Sequence, residues 1–290
     1  MSASGTYAEW IAVEGAQGRL RAWAMVGHRP IAEAKVDNDP NSMDSAGFEG
    51  AVLALVDPWL GGGLTPILVA GAPHAPTRTV PCTPLPDAAP GRSRFTLIPG
   101  LRQSNPPDIM RGDEARIAGF LAGSPDFDGV LCLPGAHSRW AQISAGEVVS
   151  FRTFMTGALF DLLSKSTVLS PFLGEGWDES AFAEAVSDGV AKPELIAARL
   201  FGIHAEASLT GLDEGAAAAR LWGLLIGIEL AAARPYWLGQ NLALIADEVL
   251  SSRYAAALSL QGLDPVRSEE GPMLRRGLDS FRRALLEVSG

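Results

Sequence analysis

Three short runs rich in apolar residues at the start of the chain, 9–14, 19–26 and 29–36, predict three strands. The polar, glycine-flanked stretch Glu14-Gly15-Ala16-Gln17-Gly18-Arg19 joins the first two and Gly27-His28 the next two, which is the pattern of a meander. Apolar residues then recur at helical spacing over 45–60, with Pro58 near the end, and 65–71, "TPILVAG", is a continuous apolar run of the buried-strand kind. The Pro-rich segment 72–92 cannot sustain a helix and predicts an irregular loop with one extended edge segment. A strand over 94–100 follows. So does a helix over 112–123, whose first turn carries Asp113 and Glu114, where acids suit the helix dipole.

At residue 129 the opening order returns. A strand over 129–133, the turn Pro134-Gly135-Ala136-His137-Ser138, a strand over 139–144, a turn at Ala145-Gly146, a strand over 147–154 and a helix from Thr156 follow one another. Helices are predicted at 178–190, 193–201, 212–233 and 272–287, and a strand at 241–247 runs into a helix over 248–262. The two meanders lie about 118 residues apart, which points to an internal duplication, although short meanders also recur by chance in α/β chains. The boundary falls near Ser124-Pro125, giving lobes 1–124 and 125–290, the second with extra helices.

Composition narrows the function. With 290 residues, 47% of them hydrophobic, the chain can fill one large domain or two ordinary ones. Its 33 acids against 23 lysines and arginines repel a phosphate backbone, which argues against nucleic-acid or anionic-membrane binding but leaves room for a local basic pocket for a small anion. Cys82 and Cys132 stand alone, so neither a disulfide framework nor a thiolate metal site is expected, and the compartment reads as reducing and cytoplasmic. The start "MSASGTYAEW" lacks the pattern of a signal peptide. The run "LWGLLIGIELAAA" at 221–233 is interrupted by Glu229 and falls short of the roughly 20 residues that span a bilayer, so Trp222, Leu224, Leu225 and Ile226 read as core. His28, His74, His137 and His204 show no ligand spacing for zinc, and the adjacent His137 and Ser138 do not form a hydrolase pair without a Gly-x-Ser-x-Gly elbow.

Five blocks, "IMRGDEARIAGFL", "LPGAHSRWAQI", "FRTFMTGALFDLL", "GLLIGIEL" and "RYAAAL", stand in an order and spacing similar to those of the 2-dehydro-3-deoxygalactonokinases, over nearly the whole chain. That family resembles the actin and hexokinase superfamily. The resemblance implies an α/β fold of two ribonuclease-H-like lobes with a central interlobe cleft that takes MgATP and a small hydroxyl substrate. It implies ATP-dependent phosphorylation of the terminal hydroxyl of 2-dehydro-3-deoxy-D-galactonate, with ATP and Mg²⁺ as cofactors. The partner implied is a small-molecule sugar acid, with neither nucleic acid nor membrane, and a homodimer is open to the chain.

Phosphoryl transfer spreads negative charge over the moving oxygens, so turns that present donors carry such a site. The resemblance places the nucleotide at Glu14, Gly15, Gly18 and Arg19 in the opening turn and at Gly135, Ala136, His137 and Ser138 in the second. It makes Glu14 the metal-side acid, Glu114 or Asp113 the catalytic base, and Arg111, Arg152 and Thr156 the substrate contacts, arginine suiting a carboxylate. The second turn departs from the family's Gly-Thr-His-Ser-Lys-Trp at Ala136 and Arg139. The opening turn keeps only Leu20-Arg21-Ala22-Trp23 of Asp-Trp-Gly-Thr-Thr/Ser-Asn-Leu-Arg-Ala-Trp, with Ala16, Gln17 and Gly18 where a glycine and two hydroxyls are expected. "AGAPHAPTRTVP" replaces a glycine-rich segment, and Ala246-Asp247-Glu248 brings acids to the side where adenosine is expected. Two alternatives stay open: Glu14 as a solvated strand end, and Arg111, Asp113 and Glu114 as a helix cap. So does a second function, a degenerate relative that binds a sugar acid or a protein partner without turnover.

Overall fold

The runs at the start of the chain form the first sheet. In the computed structural model, which describes residues 7–16, 18–37, 40–61, 64–87 and 94–289, the meander forms as β1 (Trp10–Ala16), β2 (Arg19–Val26) and β3 (Arg29–Val36). β1 and β2 pair antiparallel from Trp10 opposite Met25 to Ala16 opposite Arg19, so the hairpin loop is two residues long. One of these, Gly18, has φ +72°, a left-handed conformation that glycine adopts without strain. Helix α1 (Ser45–Val56) is capped by Asp44, which accepts from the Gly47 N–H, and a 3₁₀ turn containing Pro58 ends it. β4 (Ile67–Ala70), buried throughout, runs parallel to β1.

After β4 come β5 (Thr77–Thr79), β6 (Phe95–Leu97), β7 (Gly100–Ser104), β8 (Pro107–Met110) and α2 (Asp113–Leu121). The five-stranded sheet has the order β3-β2-β1-β4-β6, and β5-β7-β8 form a separate small sheet. β5 is the expected extended segment of the Pro-rich loop. The β7–β8 hairpin was not expected, because "LRQSNPPDI" is polar and proline-bearing and carries no alternation. Odd positions of β1, Ile11 and Val13, pack with Phe48, Val52 and Val56 of α1. Even positions, Trp10 and Ala12, pack on the other face with Ala115 of α2. Glu14 continues the even series and therefore points toward α2.

The second sheet repeats the order. It comprises β9 (Gly129–Leu133), β10 (Ser138–Ser144), β11 (Glu147–Phe154), β12 (Leu242–Ala246) and β13 (Val266–Glu269), arranged β11-β10-β9-β12-β13, with β9 and β12 parallel. Its helices are α3 (Thr156–Ser166), α4 (Glu179–Ala191), α5 (Ile196–Thr210), α6 (Glu214–Ala232), the short α7 (Arg234–Trp237) and α8 (Glu248–Ser259). α5 continues well beyond the expected end at 201, through Gly202, until Gly211 at φ +74° closes it. β13, only four residues long and mostly polar, was not foreseen. α6 has the length and apolarity of a membrane span but is mostly buried, packing on α4 where Gly223 and Gly227 leave no room for a Cβ beside the α4 backbone. Trp222, Leu224, Leu225 and Ile226 are core, as expected.

Two compact units result: 1–128 with 143–151 and 269–290, and 129–142 with 152–268. This is a correction to a single cut at Ser124-Pro125. The last helix, α9 (Glu270–Ser289), belongs to the first unit because Leu274, Leu278 and Phe281 complete the core beneath Trp10 and Trp23. The segment 143–151 joins the same unit, where Val148 and Cys82 exchange backbone hydrogen bonds.

α2 and α9 meet backbone to backbone. A Cβ on Gly119 would lie 1.8 Å from the Met273 carbonyl oxygen, and one on Gly277 would lie 1.9 Å from that of Ala115. Gly119→Ala and Gly277→Ala should each destabilise the protein by about 1–3 kcal/mol or more, through forced separation of the helices. Urea midpoints check this, and wild-type stability in either variant would show that the crossing is not tight.

Candidate functional site

Three carboxylates of the first unit converge on one guanidinium. Glu14 at the end of β1, Asp113 at the start of α2 and Glu270 at the start of α9 all contact Arg116, one turn into α2. Arg116 Nη1 donates to Asp113 Oδ1 at 2.5 Å, and Nη2 donates to Glu14 Oε1 and to Glu270 Oε2, the latter at 3.2 Å. Glu14, Asp113 and Arg116 are 2%, 4% and 3% exposed. Glu14 is thus not a solvated strand end. Arg19 and Arg21 of β2 lie 3.5 and 3.7 Å from Glu270, so Arg116, Arg19 and Arg21 face Glu14, Asp113 and Glu270. Burial raises the Glu14 carboxyl above its ordinary value, opposed by Arg116 and reinforced by Glu270. The same carboxylates push the Arg116 pKa up, so it stays a cation.

Glu114 is fully buried, and its Oε1 accepts from the Gly112 N–H at 2.8 Å. It therefore fixes the loop that enters α2, where Gly112 has φ 101°. Arg111 is half-buried, its Nε 3.4 Å from the Ala75 carbonyl oxygen. Of the opening turn, Gly15 is buried against the Phe48 ring, Gly18 is exposed at the tip and Arg19 leans toward Glu270. Gln17 lies outside the described residues.

The second unit's turn is built differently. Gly135 is buried, Ala136 half-buried and His137 exposed, while the Ser138 hydroxyl is buried and 2.8 Å from the Tyr254 hydroxyl. The expected phosphate contact of the Ser138 side chain is therefore corrected: its oxygen faces the interior. Thr156, expected on the substrate side, is also buried, with its hydroxyl donating to Glu229. Arg152 is exposed. Asp247 caps α8 by accepting from the Leu250 N–H, and Glu248 pairs with Arg267 at 3.1 Å, so this acidic pair is already engaged by a helix end and a cation.

Magnesium fits the first-unit acids poorly. A divalent ion competes poorly here with the guanidinium, since Glu14, Asp113 and Glu270 each already give one carboxylate oxygen to Arg116. Among the described residues no set of three His, Cys, Asp or Glu side chains is grouped to hold a metal. Arg116 and Glu270 escaped the sequence reading, and Glu229 entered it only as the break in an apolar run. The signal at Arg116 and Glu229 is a charge set inside an apolar helical run, between Ala115 and Ile117 and between Ile228 and Leu230, whereas Glu270, between Glu269 and Gly271, carries none.

Arg116→Gln should cost about 3–5 kcal/mol, since it leaves buried acids without their cation. Denaturant unfolding measures it, and a loss below 1 kcal/mol would mean that Arg19 and Arg21 suffice. Glu14 gives a pH signature as well. Its raised folded-state pKa makes the folded protein hold the proton to higher pH than the unfolded chain, so its contribution is fully present below 4.5 and is lost as pH rises through the folded value. Stability of wild type should fall more steeply than that of Glu14→Gln over that window in matched urea series, and parallel curves would remove Glu14 as the titrating group.

Comparison with known proteins agrees with the fold and the blocks. The family model described as 2-keto-3-deoxy-galactonokinase matches residues 16–281. A curated 2-dehydro-3-deoxygalactonokinase of Escherichia coli (strain K12) is 27% identical over 298 residues, covering 96% of this chain and 99% of that protein. A Rhizobium meliloti (strain 1021) relative, named a probable 2-dehydro-3-deoxygalactonokinase, is 34% identical over 196 residues, and the match spans 65% of this chain and 64% of the relative's length. A solved Sinorhizobium meliloti protein of that name aligns with a TM-score of 0.81 at 28% identity, over 95% of this chain and 99% of its own. At 9% identity, component A of the Acidaminococcus fermentans (R)-2-hydroxyglutaryl-CoA dehydratase shares the fold, with a TM-score of 0.57 over 97% of this chain and 99% of its own. With its duplicated sheet order and a family match running from the opening turn into α9, this chain belongs to the 2-keto-3-deoxy-galactonokinase family.

Proposed function

We propose that the protein transfers the terminal phosphoryl group of ATP to the terminal hydroxyl of 2-dehydro-3-deoxy-D-galactonate. The family match over 16–281 carries this reading. The second unit's turn supports it: Gly135, Ala136 and His137 lie between a buried strand and a buried hydroxyl, so their backbone donors are held in place for phosphate oxygens. With the Ser138 and Thr156 hydroxyls turned inward, backbone N–H groups rather than side chains are the donors in this assignment. Asp113 is the proposed proton acceptor for the sugar hydroxyl: each acid already has one oxygen bonded, Asp113 to Arg116 and Glu114 to the Gly112 N–H, but Glu114 lies deeper, at 0% exposed against 4%. Arg111 and Arg152 are the proposed contacts for the sugar-acid carboxylate. The nucleotide supplies the transferred group, and no step is assigned to a metal held by Glu14.

A second reading, a relative that holds its ligand without turnover, is favoured by one observation: Glu14, in the place of the metal-side acid, is bound to Arg116. One assay separates the two. Purified protein with MgATP should release ADP only when the sugar acid is added, and Asp113→Asn should lower that turnover about 10²- to 10⁴-fold with the sugar-acid KM little changed. Sugar-acid binding without ADP release in the wild type would support the second reading, and full turnover in Asp113→Asn would return Asp113 to a purely structural place beside Arg116.

A further inference from the structure

The second unit buries a carboxylate for which phosphoryl transfer gives no use. Glu229 of α6 is 2% exposed, inside an otherwise apolar helix. Its Oε1 accepts from the Trp140 indole N–H at 2.8 Å, and its Oε2 accepts from the Tyr254 hydroxyl at 2.8 Å and from the Thr156 hydroxyl. Tyr254 in turn meets the Ser138 hydroxyl. Three donors on an acceptor-only group make the arrangement self-consistent for a carboxylate, and replacing any one of them leaves a buried polar atom short of a bond. Burial raises the Glu229 carboxyl while these donors oppose the shift. The network draws on α6, β10, α3 and α8.

We propose that Glu229 is a positioning residue for the nucleotide-side turn of residues 134–138, which it holds from two sides. This rests on the kinase reading above. At the far end of the turn Glu229 fixes β10 directly through Trp140 and, through Tyr254, Ser138. On the other side it fixes Thr156, the first residue of α3. The next residue, Gly157, lies so close to the turn that a Cβ there would stand 2.3 Å from the Gly135 carbonyl oxygen and 2.9 Å from the Ala136 Cα. The Ala158 N–H donates to the Ala136 carbonyl oxygen at 2.9 Å. Thr156 is thus a peg, and the turn rests on the helix end that the peg locates. A helix end displaced by part of an ångström moves Gly135 and Ala136 with it, and the donors lose their aim.

The test combines kinetics with amide exchange on full-length Glu229→Gln, Thr156→Val and Thr156→Ser. Glutamine keeps the shape but sets an NH₂ against the Thr156 and Tyr254 donors, whereas valine removes the peg's hydroxyl at nearly constant volume. In both Glu229→Gln and Thr156→Val the KM for ATP should rise about tenfold or more with kcat within about threefold, the double variant should be no worse than either, and Thr156→Ser should restore wild-type values. Backbone exchange should quicken over 134–138 and 156–158 while α4 and β12 keep their protection. Unchanged exchange at the turn overturns the proposal, and so does acceleration spread evenly over the unit, which assigns Glu229 to bulk stability. Should wild type release no ADP with the sugar acid, the kinase reading falls, and the exchange arm alone still decides whether Glu229 holds the turn.

Discussion

A single buried cation fixes the geometry of the first unit. Arg116 ties together the ends of three elements that share no local sequence: β1 through Glu14, its own α2 through Asp113, and α9 through Glu270. An ion pair in the interior gains stability over an apolar equivalent only when its geometry is good, but removing one member of a formed set is costly. Such a cluster is therefore better at specifying an arrangement than at adding net stability. It works here because α2 and α9 are already pressed together at Gly119 and Gly277, which leaves the charged groups no freedom to drift apart. Backbone proximity sets the helices, and the guanidinium sets how β1 meets them.

The second unit reaches the same end without a cation. Glu229 gathers one indole and two hydroxyl donors from three other elements, so a lone buried acid ties α6 to a strand and two helices. Neutral donors around a carboxylate avoid the desolvation of a second charge but satisfy the acid less completely than a guanidinium would. In both units the polar cluster lies where a β-meander begins or ends a turn, at Glu14 in one and at Ser138 in the other.

Much of this was legible in the sequence. Three strands at 9–36, their repetition from 129, and the buried run at 65–71 all followed from short runs rich in apolar residues or from unbroken apolar character, which burial enforces directly. The β7–β8 hairpin and β13 did not. Their residues are largely polar, and what places them is pairing with neighbours distant in sequence, which leaves no local trace. The assignment of α9 to the first unit was hidden for the same reason: its amphipathic pattern states that it packs, not on what. The resemblance pointed to acids and turns by family place alone, which says nothing of where their side chains point. Ser138 and Thr156 occupy those places and point inward, because Tyr254 and Glu229, far along the chain, claim their hydroxyls.

That inward claim bears on the departures from the family's turn pattern. In the second turn a hydroxyl remains at 138 but serves the core, and position 136, where the family carries threonine, holds an alanine that is half-buried beside α3. In the opening turn the hydroxyls are absent as well, the tip is a left-handed glycine, and the nearest charges, Glu14 and Arg19, are engaged by Arg116 and Glu270. Both turns thus lack hydroxyl donors of the family pattern, and the charges beside the opening turn are balanced internally. A backbone turn can lose its side-chain donors and still point its N–H groups, provided something rigid stands behind it. Behind the opening turn stands the Arg116 cluster, and behind the second stands the network of Glu229.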